Sequence, residues 1–232
     1  MPDPPATADP FPVRPTVGFA VRGEEEFLED ERLLRVGEAT VRVVTFADET
    51  VSYGIGVRPH ARYLDLARSM GIPVVRRTSG GTGVLHAPGD LAWSVVLPRT
   101  DPRVGRDYVR GYGRLGAGVV RFLDRLGVSA AWVAPPNFST EYCVLGGRGQ
   151  VLSVGERVLG GAAQHLSRSA LLHQGMLPLS VDRERVARLF RITARVLAER
   201  LTGLRELGVA NDPVELARWL AGELADDLAG SA

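Results

Sequence analysis

Between positions 76 and 86 the chain reads Arg76-Arg77-Thr78-Ser79-Gly80-Gly81-Thr82-Gly83-Val84-Leu85-His86. Glycines let a backbone approach a ligand closely, and successive free N–H groups can form an anion-binding nest. Arginine adds planar donors that suit a carboxylate or a phosphate. The residues therefore suit an acyl carboxylate, a phosphate or both, and equally a Gly-rich hairpin with solvated arginines. A second candidate is Cys143, the single cysteine. A free cysteine is commonly a small buried apolar residue. As a thiolate it is a nucleophile able to form an acyl thioester. Four histidines supply candidate bases. His173 alternates with Leu171 along an apolar stretch, which suits a core histidine as well as a catalytic one. Gly160-Gly161-Ala162-Ala163-Gln164 permits close backbone approach, to a substrate or to a crossing strand. No pair of histidines has metal-ligand spacing and there is no second cysteine, so neither a structural nor a catalytic zinc is expected.

Three blocks carry a family resemblance. Arg76 to His86, followed by Pro88-Gly89-Asp90-Leu91-Ala92-Trp93-Ser94, resembles the lipoyl/octanoyl-binding signature of the lipoate–protein ligase and octanoyltransferase family. Gly155-Glu156-Arg157-Val158-Leu159-Gly160-Gly161-Ala162-Ala163-Gln164 resembles that family's Gly-Arg-Lys-Ile-x-Gly-Ser-Ala-Gln segment, and Leu171 to Leu177 its Leu-x-His-Gly-x-Leu strand. The blocks keep the family order over roughly residues 20–190. The resemblance implies the biotin/lipoate-ligase catalytic fold. It implies substrate contacts from Arg76, Arg77, Ser79, Gly80, Gly81, Gly160, Gly161, Ala162 and Gln164, with His86 and His173 as catalytic candidates. It implies Cys143 as acyl acceptor, because cysteine-dependent members place a cysteine at similar distance before the signature lysine. That lysine is the departure: Arg157 stands in its place, and all 28 basic residues are arginine. An arginine keeps its proton near neutral pH, so an oxyanion-stabilising role survives the change and a general-base role does not.

The implied activity is transfer of an octanoyl or lipoyl group from a carrier protein to a lysine of a lipoyl domain, through a Cys143 thioester and without a cofactor. The acceptor would be the glycine-cleavage H protein or a 2-oxoacid dehydrogenase subunit. The alternatives are an ATP- and Mg-dependent lipoate–protein ligase, which the missing lysine disfavours, and a non-catalytic acyl-binding or partner-binding relative.

These residues need elements to hold them. The apolar run 72–75 reads as a buried strand leading into the Arg-Gly loop, and Leu91 to Leu97 as the strand returning from it. Residues 40–46 and 50–56 read as strands, and 151–154 with 157–159 as a hairpin turning at Gly155-Glu156. Helical spacing covers 24–36, 61–70, 107–126, 182–203 and 213–228. The expected fold is α+β, a mainly antiparallel sheet flanked by helices. Its expected parts are a flexible leader at 1–15, a catalytic domain at 16–205 and a C-terminal helical tail at 206–232. The chain of 232 residues is 45% hydrophobic, enough for one sizeable domain. A net charge of +1 offers no whole-chain attraction to nucleic acid or anionic membrane. The start, Met1-Pro2-Asp3-Pro4-Pro5, lacks the basic-then-apolar order of a signal peptide, and one cysteine excludes an internal disulfide. A reducing cytoplasm is the expected location.

Overall fold

A computed structural model describes residues 11–230 apart from 105–107, 137, 139 and 148, together with all side chains in that set but those of 108–110. Residues 1–10 of the expected leader, 107 of the expected helix and 231–232 of the expected tail lie outside it. In chain order the elements are β1 (Arg14–Val21), α1 (Gly23–Val36), β2 (Thr40–Phe46), β3 (Thr50–Gly54), α2 (Ala61–Ser69), β4 (Val74–Arg77), β5 (Gly83–His86) and β6 (Leu91–Pro98). Then come α3 (Tyr108–Leu115), α4 (Ala117–Arg125), β7 (Ala131–Val133), α5 (Cys143–Gly146), β8 (Gln150–Val154), β9 (Arg157–Leu166) and β10 (Ala170–Leu177). The chain closes with α6 (Arg183–Phe190), α7 (Ala194–Arg200), a 3-10 turn (Arg205–Leu207) and α8 (Pro213–Gly230).

Seven strands form one sheet in the order β1-β2-β6-β10-β9-β8-β7, and three form a second in the order β4-β3-β5. Among the strand pairs of the described residues only β1–β2 and β3–β4 run parallel, so the α+β, mainly antiparallel expectation holds. Strand alternation assigns the two faces of the large sheet. Trp93, Val95 and Leu97 of β6 join Val119, Phe122 and Leu123 of α4 and Leu216, Leu220 and Leu224 of α8 in the main core. The alternate position Val96, with Leu172 of β10, packs on Leu33 and Leu34 of α1. Ser94 and Gln174 share that α1 face, because they lie two residues from Val96 and Leu172 and pair directly across the strands. The small sheet sits over a second core that includes Val144 and Leu145 of α5 and Leu189 and Phe190 of α6.

Two helices predicted as continuous are broken. The 107–126 stretch splits at Gly116, where Trp132 of β7 donates its indole N–H to the Gly116 carbonyl at 3.1 Å and its ring occupies the space a Cβ would fill. The 182–203 stretch splits at Arg191, which adopts a left-handed φ of 54°, and Thr193 then caps α7 by accepting the Val196 N–H. The chain also enters its sheet earlier than expected. Arg14 and Pro15, assigned to the leader, pair with Thr40 and Val41, and the periodicity was hidden by Pro15 and Gly18 in an edge strand. Within the 206–232 stretch, α8 packs on α4, β1, β2 and β6.

Candidate active site

The β3–β4–β5 sheet holds the Arg-Gly loop in shape. Gly54 donates its N–H to the Gly81 carbonyl at 3.0 Å, and Ile55 to that of Ser79 at 3.0 Å. At its far end Gly83 donates to the carbonyl of Glu141 at 2.8 Å and forms a bridge with Tyr142. That contact ties the loop to the segment that delivers Cys143, which lies 62 positions after Gly81 (143 − 81).

The two arginines of the motif have different fates. Arg76 is exposed on the outer side of α1, while Arg77 is 5% exposed and points inward. The fork of Arg77 donates to the Ser52 carbonyl at 3.0 Å, to Ser52 Oγ at 3.1 Å and to the Gly80 carbonyl at 2.8 Å. One terminal nitrogen then lies 3.8 Å from Cys143 Sγ. Burial lowers the Arg77 guanidinium from its ordinary range, and the adjacent sulfur opposes that shift. Gly81 makes the approach possible: at φ +96° its missing Cβ would sit 2.6 Å from both the Arg77 nitrogen and Cys143 Sγ.

His86 completes this cluster from β5. Its Nε2 lies 2.8 Å from Ser52 Oγ, and its ring stacks on Phe46 with centroids 4.6 Å apart. Burial, reinforced by the Arg77 charge, pushes the imidazole down to about 3. It is therefore neutral across the physiological range and holds Ser52 under the Arg77 fork. His173 is placed elsewhere. It lies on the face of β10 opposite Gln174, fully buried, with Nδ1 3.1 Å from Gln164 Nε2 and its ring edge-on to Tyr112. Burial pushes it down to about 3 as well. Bases this weak take a proton from an ammonium poorly.

The cluster opens onto a partly open cavity between α1 and the α1 face of the large sheet. All three motif blocks reach it: Arg77, Ser79 and His86 from the first, Gly161, Ala162 and Ala163 from the second, Gln174, Gly175 and Met176 from the third. Cys143 is half-buried at its edge, and Phe27, Val84, Ala92 and Trp93 supply apolar wall. Gly80 borders the cluster through its carbonyl, whereas the Cβ position of Gly160 faces the Met176 carbonyl. Gln164 pairs with His173 instead of bordering the cavity. Arg157 is exposed where β9 begins, opposite Val154 in the hairpin, and does not line the cavity. The oxyanion-stabilising role expected of Arg157 is corrected on this point, because the residue stands away from the cavity that Cys143 borders. The hairpin turns at Gly155, so Arg157 lies at its tip, and Gly161 to Ala163 further along β9 reach the cavity instead.

Sequence reasoning passed over Asp30, Ser94, Ser52 and Gln174. Asp30 is fully buried on α1, accepting from Ser94 Oγ at 2.5 Å and from Gln174 Nε2 at 3.0 Å. Burial raises its carboxyl to about 7, with the Ser94 bond opposing and the Glu29 charge adding. Glu26, one turn earlier, pairs with Arg42 of β2. A polar residue at a core-facing strand position was the available signal for Ser94 and Gln174. Among the described residues no group of three or more His, Cys, Asp or Glu side chains could hold a metal ion, and no helix is long and apolar enough to cross a membrane.

Comparison with known proteins identifies the family and the fold. A family model, the lipoyl protein ligase A/B catalytic domain, matches residues 22–218. The chain is 32% identical over 188 residues to octanoyltransferase LipM of an Exiguobacterium species, covering 76% of this chain and 67% of that protein. It spans about half to two thirds of the length of the LipM relatives it matches. In structure it resembles the bipartite lipoate protein ligase of Thermoplasma acidophilum, described with its E2 lipoyl domain (TM-score 0.70, 21% identity, 91% of this chain and 83% of that one). It also resembles a lipoate-protein ligase A bound with ATP (TM-score 0.69, 20% identity, 96% and 94% covered).

Proposed function

Since the chain belongs to the lipoyl protein ligase A/B catalytic-domain family, we propose that it is an acyltransferase that moves an octanoyl or lipoyl group to a lysine of a lipoyl domain through a Cys143 thioester. The observation that carries this reading is Cys143 Sγ held 3.8 Å from the buried Arg77 guanidinium at the edge of the cavity. The thiolate attacks the carbonyl carbon of a carrier-bound thioester. The new C–S bond forms as the donor's C–S bond breaks, and the donor thiolate takes up a proton. The deprotonated acceptor amine then attacks the enzyme thioester, the amide forms and Cys143 leaves as thiolate. Splitting the transfer in two is the usual advantage of covalent catalysis. His86 and Ser52 act by positioning Arg77, and loss of the amine proton falls to solvent or acceptor, because both buried histidines are too weakly basic to take it. The acceptor class follows from relatives that act in lipoylation, with the H protein and 2-oxoacid dehydrogenase subunits as specific forms of it. A reduced lone thiol that must stay nucleophilic fits the cytoplasm.

Intact-mass spectrometry after incubation with octanoyl carrier protein tests the reading. A mass gain of one octanoyl group, lost in Cys143→Ala, is the expected result. Acylation that persists in Cys143→Ala refutes the thioester, and acyl transfer that occurs only with ATP and free acid assigns the ligase chemistry instead.

A further inference from the structure

The cavity is not uniformly apolar. Its Cys143 edge is half-buried, but the residues beneath α1 are closed off: Asp30 is 0%, Ser94 1% and Gln174 7% exposed. These three line the same cavity and form one hydrogen-bonded set. Gln174 uses its amide N–H to reach Asp30, which leaves Gln174 Oε1 buried with no partner. An unpaired buried acceptor is costly, and an aliphatic chain end packed against it keeps that cost in place. A group that donates to Oε1 removes it. Ser94 Oγ adds a second acceptor lone pair beside it, since its own proton goes to Asp30. The neighbouring Glu26 is already satisfied by Arg42, and the other unpaired polar atoms of the lining residues, on Ser79, His86, Trp93 and Gln150, lie outside the Asp30 set, so within that set the open acceptor is Gln174 Oε1.

We infer that this closed end is a polar subsite for an acyl chain whose distal end carries a hydrogen-bond donor, a hydroxyl or an amide N–H. The apolar wall of Phe27, Val84, Ala92 and Met176 takes the methylenes, and the acyl carbon stays at the Cys143 edge. The inference rests on the reading of the cavity as an acyl site and refines which acyl groups it prefers.

Calorimetric titration of the full chain with 8-hydroxyoctanoic acid and with octanoic acid tests it. The wild type is expected to bind the hydroxy acid about threefold to tenfold more tightly, the span one net hydrogen bond provides. Gln174→Leu is expected to abolish or invert that ratio. Should the leucine variant not fold, Ser94→Ala is read in the same way and reduces the ratio. Equal or weaker binding of the hydroxy acid by the wild type, a ratio that the substitutions leave unchanged, or binding of neither acid overturns the inference. Failure of the acyl-site reading shows separately, as absence of Cys143 loading from octanoyl carrier protein.

Discussion

Gly80 and Gly81 are adjacent, identical in the motif, and predicted to respond oppositely to the same substitution. At Gly81 an alanine meets two obstacles. Its φ of +96° is a conformation L residues rarely adopt, with a strain of about 1–3 kcal/mol. Its methyl would lie 2.6 Å from Cys143 Sγ and from an Arg77 nitrogen. The sulfur can rotate away, but the guanidinium is pinned by Ser52 and Gly80. Moving it sacrifices a charge-assisted bond of about 1.5–3 kcal/mol. Reduced freedom of the unfolded chain returns about 0.4–1 kcal/mol. The net expectation for Gly81→Ala is a loss of about 1.5–5.5 kcal/mol, which for a chain this size lowers Tm by about 3–22 °C. At Gly80 the Cβ direction is open, with nothing within 4 Å, so Gly80→Ala leaves Tm unchanged or raises it by a few degrees. Differential scanning calorimetry of both variants, with the alkylation rate of the single thiol, reads the comparison. In Gly81→Ala the alkylation rate changes as the sulfur is displaced, whereas in Gly80→Ala it is retained. Equal Tm losses, or a greater loss at Gly80, would refute the packing of Sγ and Arg77 over Gly81.

Arg77→Lys keeps the charge but loses the fork, so the Ser52 and Gly80 carbonyls cannot both be satisfied; a loss of about 2–3 kcal/mol in urea unfolding and Cys143 loading slowed at least tenfold are expected. Unchanged loading would show that charge alone suffices. The pH dependence of stability separates buried carboxyls from buried imidazoles. Asp30 and Asp90, raised to about 7, bind protons in the folded state that the unfolded chain releases above about 4. Each contributes stability that is complete below that point and lost as pH rises through 7. His86 and His173, lowered to about 3, do the reverse between about 6.5 and 3. The two pairs offset one another between about pH 4.5 and 6.5. Asp30→Asn removes one side of that balance, so relative to wild type it loses up to about 1.4 kcal/mol per unit as pH falls through this window; parallel stability–pH curves would contradict the shift at Asp30. Gly116→Ala places a methyl 2.7 Å from the Trp132 ring, and is expected to lower stability by about 1–3 kcal/mol and shift the tryptophan emission; an unshifted spectrum at full stability would exclude that contact.

Much of the scaffold was legible because local periodicity and turn residues act over a few positions. The strand at 40–46, the hairpin turning at Gly155, the helices at 24–36, 61–70 and 213–228 and the Arg-Gly loop all announce themselves in this way. Each motif block contributes some residues to one cavity. Their internal detail was not legible. Arg76 and Arg77 are chemically identical neighbours, and only the β3–β4 pairing decides that the second turns inward. His173 drew attention as a titratable side chain, yet strand alternation places it in the main core and puts Gln174 in the cavity. Arg157 was expected at the acyl group from its place in the second motif block, but a motif position does not say where a hairpin tip points. The breaks at Gly116 and Arg191 interrupt apolar patterns that run on unaltered, because a tryptophan from a later strand and a left-handed residue intervene.

The sequence by itself therefore determined the element types, the face each presents to a core and the chemical groups available for acyl chemistry, since these depend on side-chain type and short-range geometry. The tertiary structure alone decided which arginine meets the sulfur, which of two glycines must lack a Cβ, and that Asp30, Ser94 and Gln174 form one buried set. Those outcomes depend on contacts between residues up to 144 positions apart, whose distances are set by strand register and helix packing rather than by any local pattern.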